Sequence, residues 1–195
     1  MIVPIGVDCG MANFCKKHNL RYTSFPFDWN VTYNGVSECI NDNFNNFIPN
    51  EYERINAYDI FFLHDFENTY HEDVIKYKRR IQRLQNILET TEEIIFCRKG
   101  HSPHHHYEHN EKYSNIKSDI KDAEDLDRIL SNKYPNLNYK IIVILVCEKC
   151  FDSNKIYKSN SDKIEIHNIS SPVVDDAKFE KCANEIFCKQ IALNV

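Results

Sequence analysis

Short apolar segments alternate with longer amphipathic segments along most of the chain. Four segments are mostly apolar and bounded by turn residues, which is typical of strands buried on both faces of a sheet. They lie at residues 2–7, 57–62, 93–97 and 139–147. A fifth segment, residues 163–169, alternates apolar and polar positions and predicts an edge strand. The pattern therefore predicts about five strands.

Between these strands, apolar residues recur at steps of three and four, which predicts amphipathic helices. The clearest stripe lies in residues 73–89, where Arg79, Arg80 and Arg83 fall outside the stripe and predict a solvated basic face. The other predicted helices cover residues 10–18, 36–47, 123–132 and 178–193.

Buried strands that alternate with helices indicate a mostly parallel sheet with helices on both faces. We expect a single three-layer α/β domain over residues 1–195, with a His-rich loop inserted at residues 99–121. In open parallel sheets, ligands bind at the carboxyl ends of the strands. The polar residues that follow the first three predicted strands are therefore the first candidates for a site.

The composition narrows the possible partners and locations. The formal net charge is −5, so no nucleic-acid partner is expected. No run of about 18 apolar residues is present, and the first residues lack the basic and apolar regions of a signal peptide. We therefore expect a cytoplasmic protein that does not bind membranes and whose 8 cysteines are mostly free thiols. The many Asn, Ile, Lys and Tyr residues suggest an AT-rich genome such as that of a large DNA virus, which would place the protein in the host cytoplasm.

Cys9 is the strongest candidate for chemistry. It follows the first predicted strand and precedes Gly10 and a predicted helix. The free N–H groups at a helix start favour the thiolate, which is the nucleophilic form. The N–H groups of Gly10 and Met11 could also stabilise an oxyanion. The alternative is that Cys9 is a small buried residue that fills space under the sheet.

Two further residues could complete a catalytic triad with Cys9. His64 follows the second predicted strand and is a candidate general base, or else a structural histidine bonded to a backbone carbonyl. Asp28, in an aromatic segment, could orient His64. Alternatively, Asp28 caps the helix that follows or holds the aromatic loop in place.

Trp29, Asp65 and Arg98 are candidates for contacting a substrate in the same crevice. Arg98 follows the third predicted strand and could bind a carboxylate or phosphate through two hydrogen bonds. It could equally pair with Asp28 or Asp65.

Two tracts resemble metal sites without offering a complete ligand set. The tract His101–His109 is rich in histidine but loop-like, whereas metal ligands are usually held by rigid elements. Cys147 and Cys150 could be half of a zinc site, but Cys182 and Cys188 lack the spacing of the other half. They could also be a redox pair, but the residues that follow predict a turn and not the required helix. No Gly-rich phosphate loop is present. We therefore assign no metal site and no cofactor.

Several short motifs follow one another in the order found in one protein family. They are IGVDC at residues 5–9, LR at 20–21, FPFDW at 25–29, LHDF at 63–66 and IFCR at 95–98. With them, residues 2–98 resemble the DUF1796 family, which is described as papain-like cysteine peptidases and has members in bacteria and large DNA viruses. The resemblance implies a thiol nucleophile at Cys9 and a base at His64, supported by Asp28 or Asp65.

These observations predict a thiol-dependent hydrolase or transferase, a cysteine peptidase-like enzyme that acts on a peptide or small molecule. Two alternatives stay open. The same crevice could bind an anionic ligand or a glycan without catalysis, with Arg98 as the anchor. The chain could also be a viral protein that acts on a host partner through a large exposed apolar patch.

Overall fold

A computed structural model describes residues 1–64, 66, 69–100, 118–146, 157–169 and 176–192, with residues 188–192 described by their backbone alone. The described elements follow one another as β1 (Ile2–Pro4), α1 (Gly10–Lys17), α2 (Val36–Asn41), α3 (Tyr70–Leu88), β2 (Ile94–Gly100), α4 (Asp119–Lys133), β3 (Tyr139–Leu145), β4 (Ile164–Asn168) and α5 (Asp176–Ala192).

The described strands form one parallel sheet in the order β1-β2-β3-β4. In this sheet Val3 pairs with Phe96, Phe96 with Ile141 and Ile141 with Ile164. The predicted α/β class and parallel pairing are confirmed. The predicted number of about five strands is slightly too high, because the described sheet has four.

The missing strand is the apolar segment at residues 57–62. Ile60 and Phe62 are fully buried, as the pattern predicts. However, Asp59 has a φ of 59°, which interrupts an extended chain, and Phe61 forms only isolated antiparallel bridges with Val31 and Ile55. A short apolar run does not distinguish a buried loop from a buried strand. His64 therefore does not follow a strand of this sheet.

Alternate side chains of β3 build two cores, one on each face of the sheet. On the first face, Ile142 and Ile144 belong to a cluster that includes Phe14 of α1 and Phe179 of α5. On the second face, Ile141 and Val143 of β3 belong to a larger cluster. That cluster also contains Ile40 of α2, Tyr77 of α3 and Leu130 of α4. The predicted three-layer arrangement, with helices on both faces, is confirmed.

Several helix boundaries differ from the sequence prediction. α2 ends at Asn41, because Asn43 and Phe44 adopt positive φ angles of 61° and 64°. The apolar side chains of Phe44 and Phe47 still pack into the core beyond the helix end. At α3, Thr69 and Glu72 form a capping box that begins the helix at Tyr70.

The predicted loop at residues 99–121 is shorter at both ends, because β2 continues to Gly100 and α4 begins at Asp119. The intervening residues 101–117 lie outside the described residues. Arg80, expected on a solvated basic face, is 8% exposed and lies over the Tyr77 ring. None of the described helices is long and apolar enough to cross a membrane.

Arg98 is enclosed in the middle of the fold and does not face a crevice. Its side chain is fully buried, with Nε 2.5 Å from Asp119 Oδ1 and Nη1 3.1 Å from Asp122 Oδ2. It also donates hydrogen bonds to the backbone carbonyls of Ile5 and Tyr33, at 3.1 and 2.7 Å. Arg98 thus ties the start of α4 to β2 and to the chain that follows β1.

We expect Arg98→Met to lower the free energy of unfolding by about 3–5 kcal/mol, because it leaves two buried carboxylates without their cation. Urea denaturation measures the loss. Arg79→Met is the matched control, since Arg79 is exposed on α3, and it should change stability by no more than about 0.5 kcal/mol. Equal losses in the two variants would contradict this role for Arg98.

Candidate functional site

Cys9 lies in the turn that joins β1 to α1, where it is the N-cap residue of the helix. Its side chain is partly exposed. Among the free cysteines with described side chains, Cys182 is the other one with partial exposure, and Cys15, Cys39 and Cys97 are buried. The structure therefore leaves the Cys9 sulfur within reach of a reagent or substrate.

The topology predicts a crevice next to the turn after β1. α1 follows β1 and packs on one face of the sheet, whereas α4 follows the neighbouring strand β2 and packs on the other. Neighbouring parallel strands whose following helices diverge leave a crevice at their carboxyl ends, and ligands of α/β proteins bind there. Cys9 lies at the β1 side of this crevice, and Lys99 lies near the end of β2.

Asp8 and Lys99 organise the polar surroundings of the thiol. The Asp8 carboxylate accepts the backbone N–H of Gly10 at 2.7 Å and pairs with Lys99 Nζ at 3.0 Å. Lys99 Nζ also lies 2.7 Å from Asp176 Oδ1, at the first residue of α5. Asn13, one turn into α1, donates a hydrogen bond from Nδ2 to Cys9 Sγ at 3.5 Å.

The thiol of Cys9 is harder to ionise than an ordinary cysteine. Burial raises its pKa, and the charge of Asp8 raises it further. Its own backbone N–H, the Lys99 ammonium and the Asn13 amide lower the pKa but do not offset the first two effects. At neutral pH the resting side chain is therefore a thiol, and a nucleophilic role needs a group that accepts its proton.

The N–H groups at the start of α1 are only partly available. The N–H of Gly10 donates to Asp8, so its predicted role in stabilising an oxyanion is not supported. The N–H of Met11 belongs to the first turn, where the helix itself provides no acceptor. Met11 is fully buried, so its role as a donor to an oxyanion near Cys9 stays a prediction that requires the site to open.

His64 is exposed and lies beyond the buried loop at residues 57–62. In the described part of the chain, no hydrogen bond or ion pair joins His64 to Cys9. Asp65, the residue proposed to support it, lies outside the described residues. The resting structure thus does not bring the predicted base into contact with the predicted nucleophile.

Asp28 is completely buried and ties down the aromatic loop. Its Oδ2 atom forms an ion pair with Arg21 and accepts the backbone N–H of Phe25 at 3.0 Å. The charges of Arg21 and Asp28 both act on the thiol of Cys15. Cys15 lies six residues after Cys9, which is about 9 Å along α1. Asp28 is therefore associated with the opposite end of α1 from Cys9.

Trp29 and Arg98 do not meet in the crevice either. The Trp29 ring is partly exposed and lies 5.6 Å from the guanidinium of Arg21, so it belongs to the group around Asp28. Arg98 is fully buried and holds two carboxylates and two carbonyls, which leaves it unsuited to bind a substrate. The alternative pairing of Arg98 with Asp28 or Asp65 is not what the structure shows: the ion-pair partners are Asp119 and Asp122, and Asp65 lies outside the described residues.

The polar neighbours of Cys9 were missed by the sequence analysis. Asn13 follows Cys9 by four residues, which is the spacing that places two helix residues on one face. Lys99 would have been found by extending the predicted strand past Cys97, because alternate residues then face the same side of the sheet. Asp176 had no local signal, because its contact depends on where α5 packs.

The structure does not test the two possible metal tracts. His101–His109, Cys147 and Cys150 lie outside the described residues, and so does the side chain of Cys188. Within the described ranges, no group of three or more His, Cys, Asp or Glu side chains could hold a metal ion.

Comparison with protein families identifies one match. Residues 1–56 match the model of the family described as "Putative papain-like cysteine peptidase (DUF1796)". The match confirms the family resemblance over this segment, which contains Cys9 and Asp28 but not His64 or Arg98. Comparison with curated proteins and with solved structures finds no match.

We expect Asp28→Asn to change how stability depends on pH. Burial raises the pKa of Asp28 to about 6, against the opposing effects of Arg21, the Phe25 amide and Arg80. In the unfolded chain the pKa is about 3.9. A raised folded pKa contributes stability below the unfolded value, and this contribution is lost as the pH rises through the folded value.

The wild type should therefore lose about 2 kcal/mol relative to the Asn variant between pH 4 and pH 7. Urea denaturation of both proteins across this range measures the difference. A constant difference at every pH would show that Asp28 does not titrate in this window.

Proposed function

We propose that this protein is a thiol-dependent hydrolase or transferase, of a cysteine peptidase-like kind, in which Cys9 is the nucleophile. The observation that carries the proposal is the position of Cys9: a partly exposed residue at the start of α1, at the carboxyl ends of β1 and β2, where ligands of α/β proteins bind. The match of residues 1–56 to the DUF1796 family supports the same chemistry. The substrate is a peptide or a small molecule that carries an acyl group.

The proposed reaction begins when a base removes the proton from the Cys9 thiol. The sulfur then attacks the acyl carbon of the substrate, an S–C bond forms, and the carbonyl electrons move to the oxygen. The Met11 N–H would stabilise this oxyanion. Collapse of the intermediate expels the leaving group, which takes the proton from the base. Water, or another acceptor in a transferase, then cleaves the thioester and regenerates Cys9.

His64 is our proposed base, because histidine is the usual proton acceptor of an active-site thiol. Catalytic contacts are often long in a protein without substrate, so the absence of a bond between His64 and Cys9 at rest is compatible with this role. The role requires the imidazole to reach the sulfur, directly or through one water molecule, when substrate is bound.

The other predicted residues enter the proposal differently. Asp28 supports the site indirectly, by holding the loop next to α1, and Trp29 and Asp65 stay proposals for substrate contact. Arg98 is left out, because its donors are committed inside the fold. The alternative of an anion- or glycan-binding module loses its proposed anchor for the same reason.

We expect Cys9 to react with iodoacetamide faster than Cys182, the other partly exposed thiol with a described side chain. At Cys9, the backbone N–H, Lys99 and Asn13 stabilise the thiolate. Burial and a neighbouring carboxylate raise the pKa of both thiols, with Asp8 acting on Cys9 and Glu185 on Cys182. The expected difference comes from the three groups that lower the pKa of Cys9. The rate at Cys9 should increase about tenfold per pH unit over the neutral range, because only the thiolate reacts. Mass spectrometry of the labelled peptides assigns each rate.

The matched functional test uses Cys9→Ala and Cys182→Ala against a panel of peptide and ester substrates. Loss of at least about a thousandfold in hydrolysis for Cys9→Ala, with near wild-type rates for Cys182→Ala, is expected for a nucleophile. Hydrolysis that survives Cys9→Ala would exclude Cys9 as the nucleophile.

We expect His64→Gln to lower substrate turnover without changing the reactivity of the Cys9 thiol in the absence of substrate. The iodoacetamide rate at Cys9 should stay within about twofold of wild type, because the two side chains are not in contact at rest. Turnover of a substrate should fall by about a hundredfold or more if His64 is the base. Unchanged turnover would remove His64 from the proposal without affecting Cys9.

A further inference from the structure

Lys99 is a buried cation held between two elements. Its side chain is only 4% exposed, and its Nζ lies 3.0 Å from Asp8 Oδ2 and 2.7 Å from Asp176 Oδ1. The ring centroid of Phe179 lies 5.4 Å from the same nitrogen. Lysine is almost never this deeply buried unless it is paired, so the two carboxylates are what makes the position tolerable.

The start of α1 leaves room for this side chain. A Cβ atom at position 10 would lie 2.9 Å from Lys99 Cδ and 3.0 Å from Lys99 Nζ, closer than such contacts normally are. It would also lie 2.8 Å from Asp8 Oδ1. The absence of a side chain at Gly10 therefore allows the lysine to cross the first turn of α1 and reach Asp8.

The same two charges act on the neighbouring thiol in opposite directions. Asp8 precedes Cys9 and disfavours its thiolate, whereas the Lys99 ammonium favours it. Asn13, on the next turn of α1, is the other side chain that favours the thiolate. Burial opposes the charge on Lys99, but Asp8 and Asp176 outweigh it and raise its pKa. Lys99 therefore stays positively charged across the pH range in which the thiol reacts.

We propose that Lys99 is a positioning residue of the Cys9 site: its ammonium, held between Asp8 and Asp176, offsets the negative charge of Asp8 beside the sulfur and makes the first turn of α5 part of the site. This inference deepens the proposed function and rests on it, since both concern the same thiol. Lys99 acts through charge and through Asp8, without contacting a substrate.

Asp176 gives the proposal its sharpest test. Its side chain is 78% exposed, so replacing it should disturb the fold little, yet it is one of the two acceptors of the buried ammonium. Without the Asp176 charge, the positive charge of Lys99 is less neutralised, and the Cys9 thiolate is favoured. Glu180 provides the matched control on α5, because it pairs with the exposed Lys17 instead.

The experiment measures the rate of alkylation of Cys9 by iodoacetamide in the full chain from pH 6.5 to 10. For Lys99→Met we expect the rate at pH 7.5 to fall about tenfold, which corresponds to one pH unit in the thiol titration. Lys99→Arg keeps the charge and should stay within about threefold of wild type. Asp176→Asn should raise the rate about two- to threefold, and Glu180→Gln should leave it unchanged.

The buried thiols of Cys15, Cys39 and Cys97 report whether each variant is folded, because they become labelled only when the core opens. If Lys99→Met keeps these thiols protected and the Cys9 profile does not move, the proposal is wrong. An Arg variant as slow as the Met variant would also overturn it, because charge would then not be the cause. If Lys99→Met unfolds, equal rates for Asp176→Asn and Glu180→Gln overturn the proposal instead.

This measurement is independent of turnover. If Cys9→Ala keeps hydrolytic activity, the proposed function fails, while the alkylation profiles still decide whether Lys99 controls the thiol. If the profiles do not respond to Lys99 or Asp176 but Cys9→Ala is inactive, the nucleophile stands and the positioning role is lost.

Discussion

Two buried cations occupy consecutive positions near the end of β2, and each one holds a different layer of the protein. Arg98 points to the face of α4, where it meets Asp119 and Asp122, and Lys99 points to the face of α1 and α5. Successive strand residues face opposite sides of a sheet, so one strand end anchors helices on both of them. Because an uncompensated buried charge is strongly destabilising, the fully buried partners of Arg98, Asp119 and Asp122, cannot be displaced without destabilising the packing of α4.

These ion pairs also determine the electrostatic environment at the carboxyl ends of β1 and β2. The end of β2 carries strong positive charge, but in the described residues that charge is directed at carboxylates of the protein itself. Burial, and then the neighbouring Asp8 carboxylate, raise the pKa of the Cys9 thiol. At rest Cys9 is therefore a protonated thiol and not a preformed thiolate. A thiol of this kind gains reactivity through the base and the substrate.

The sequence predicted the parts of the fold that follow from local periodicity. The parallel sheet, the helices on both faces and the position of Cys9 between β1 and α1 are all visible in the hydrophobic pattern. It failed at residues 57–62, because burial alone does not imply strand pairing and the positive φ of Asp59 leaves no trace in hydrophobicity. It also ended β2 too early, since Arg98 and Lys99 are charged and nevertheless buried.

The candidate site was harder to predict because its members come from distant segments. Cys9 was found from its place after a strand, but Asp176 reaches the site only through the packing of α5. Asp28 shows the opposite error. Its residue type fits a catalytic triad, but in the structure its carboxylate binds Arg21 and the Phe25 amide and stabilises their loop. Residue type and local position identify a possible nucleophile, whereas the identity of its partners depends on tertiary contacts.

The long separation between β1 and β2 has a consequence for the order in which the molecule acquires its structure. The hydrogen bond from Arg98 to Ile5 joins residues 93 positions apart, and within the described sheet β1 pairs with β2 alone. Closing so long a loop carries a large entropic cost, so contacts between neighbouring elements such as β2, α4 and β3 form with less loss of chain freedom. During synthesis, the segment that bears Cys9 emerges before β2, so it cannot pair until its strand partner has been made. The boundary of the family match at residue 56 is thus a limit of sequence similarity that does not mark a unit able to fold by itself.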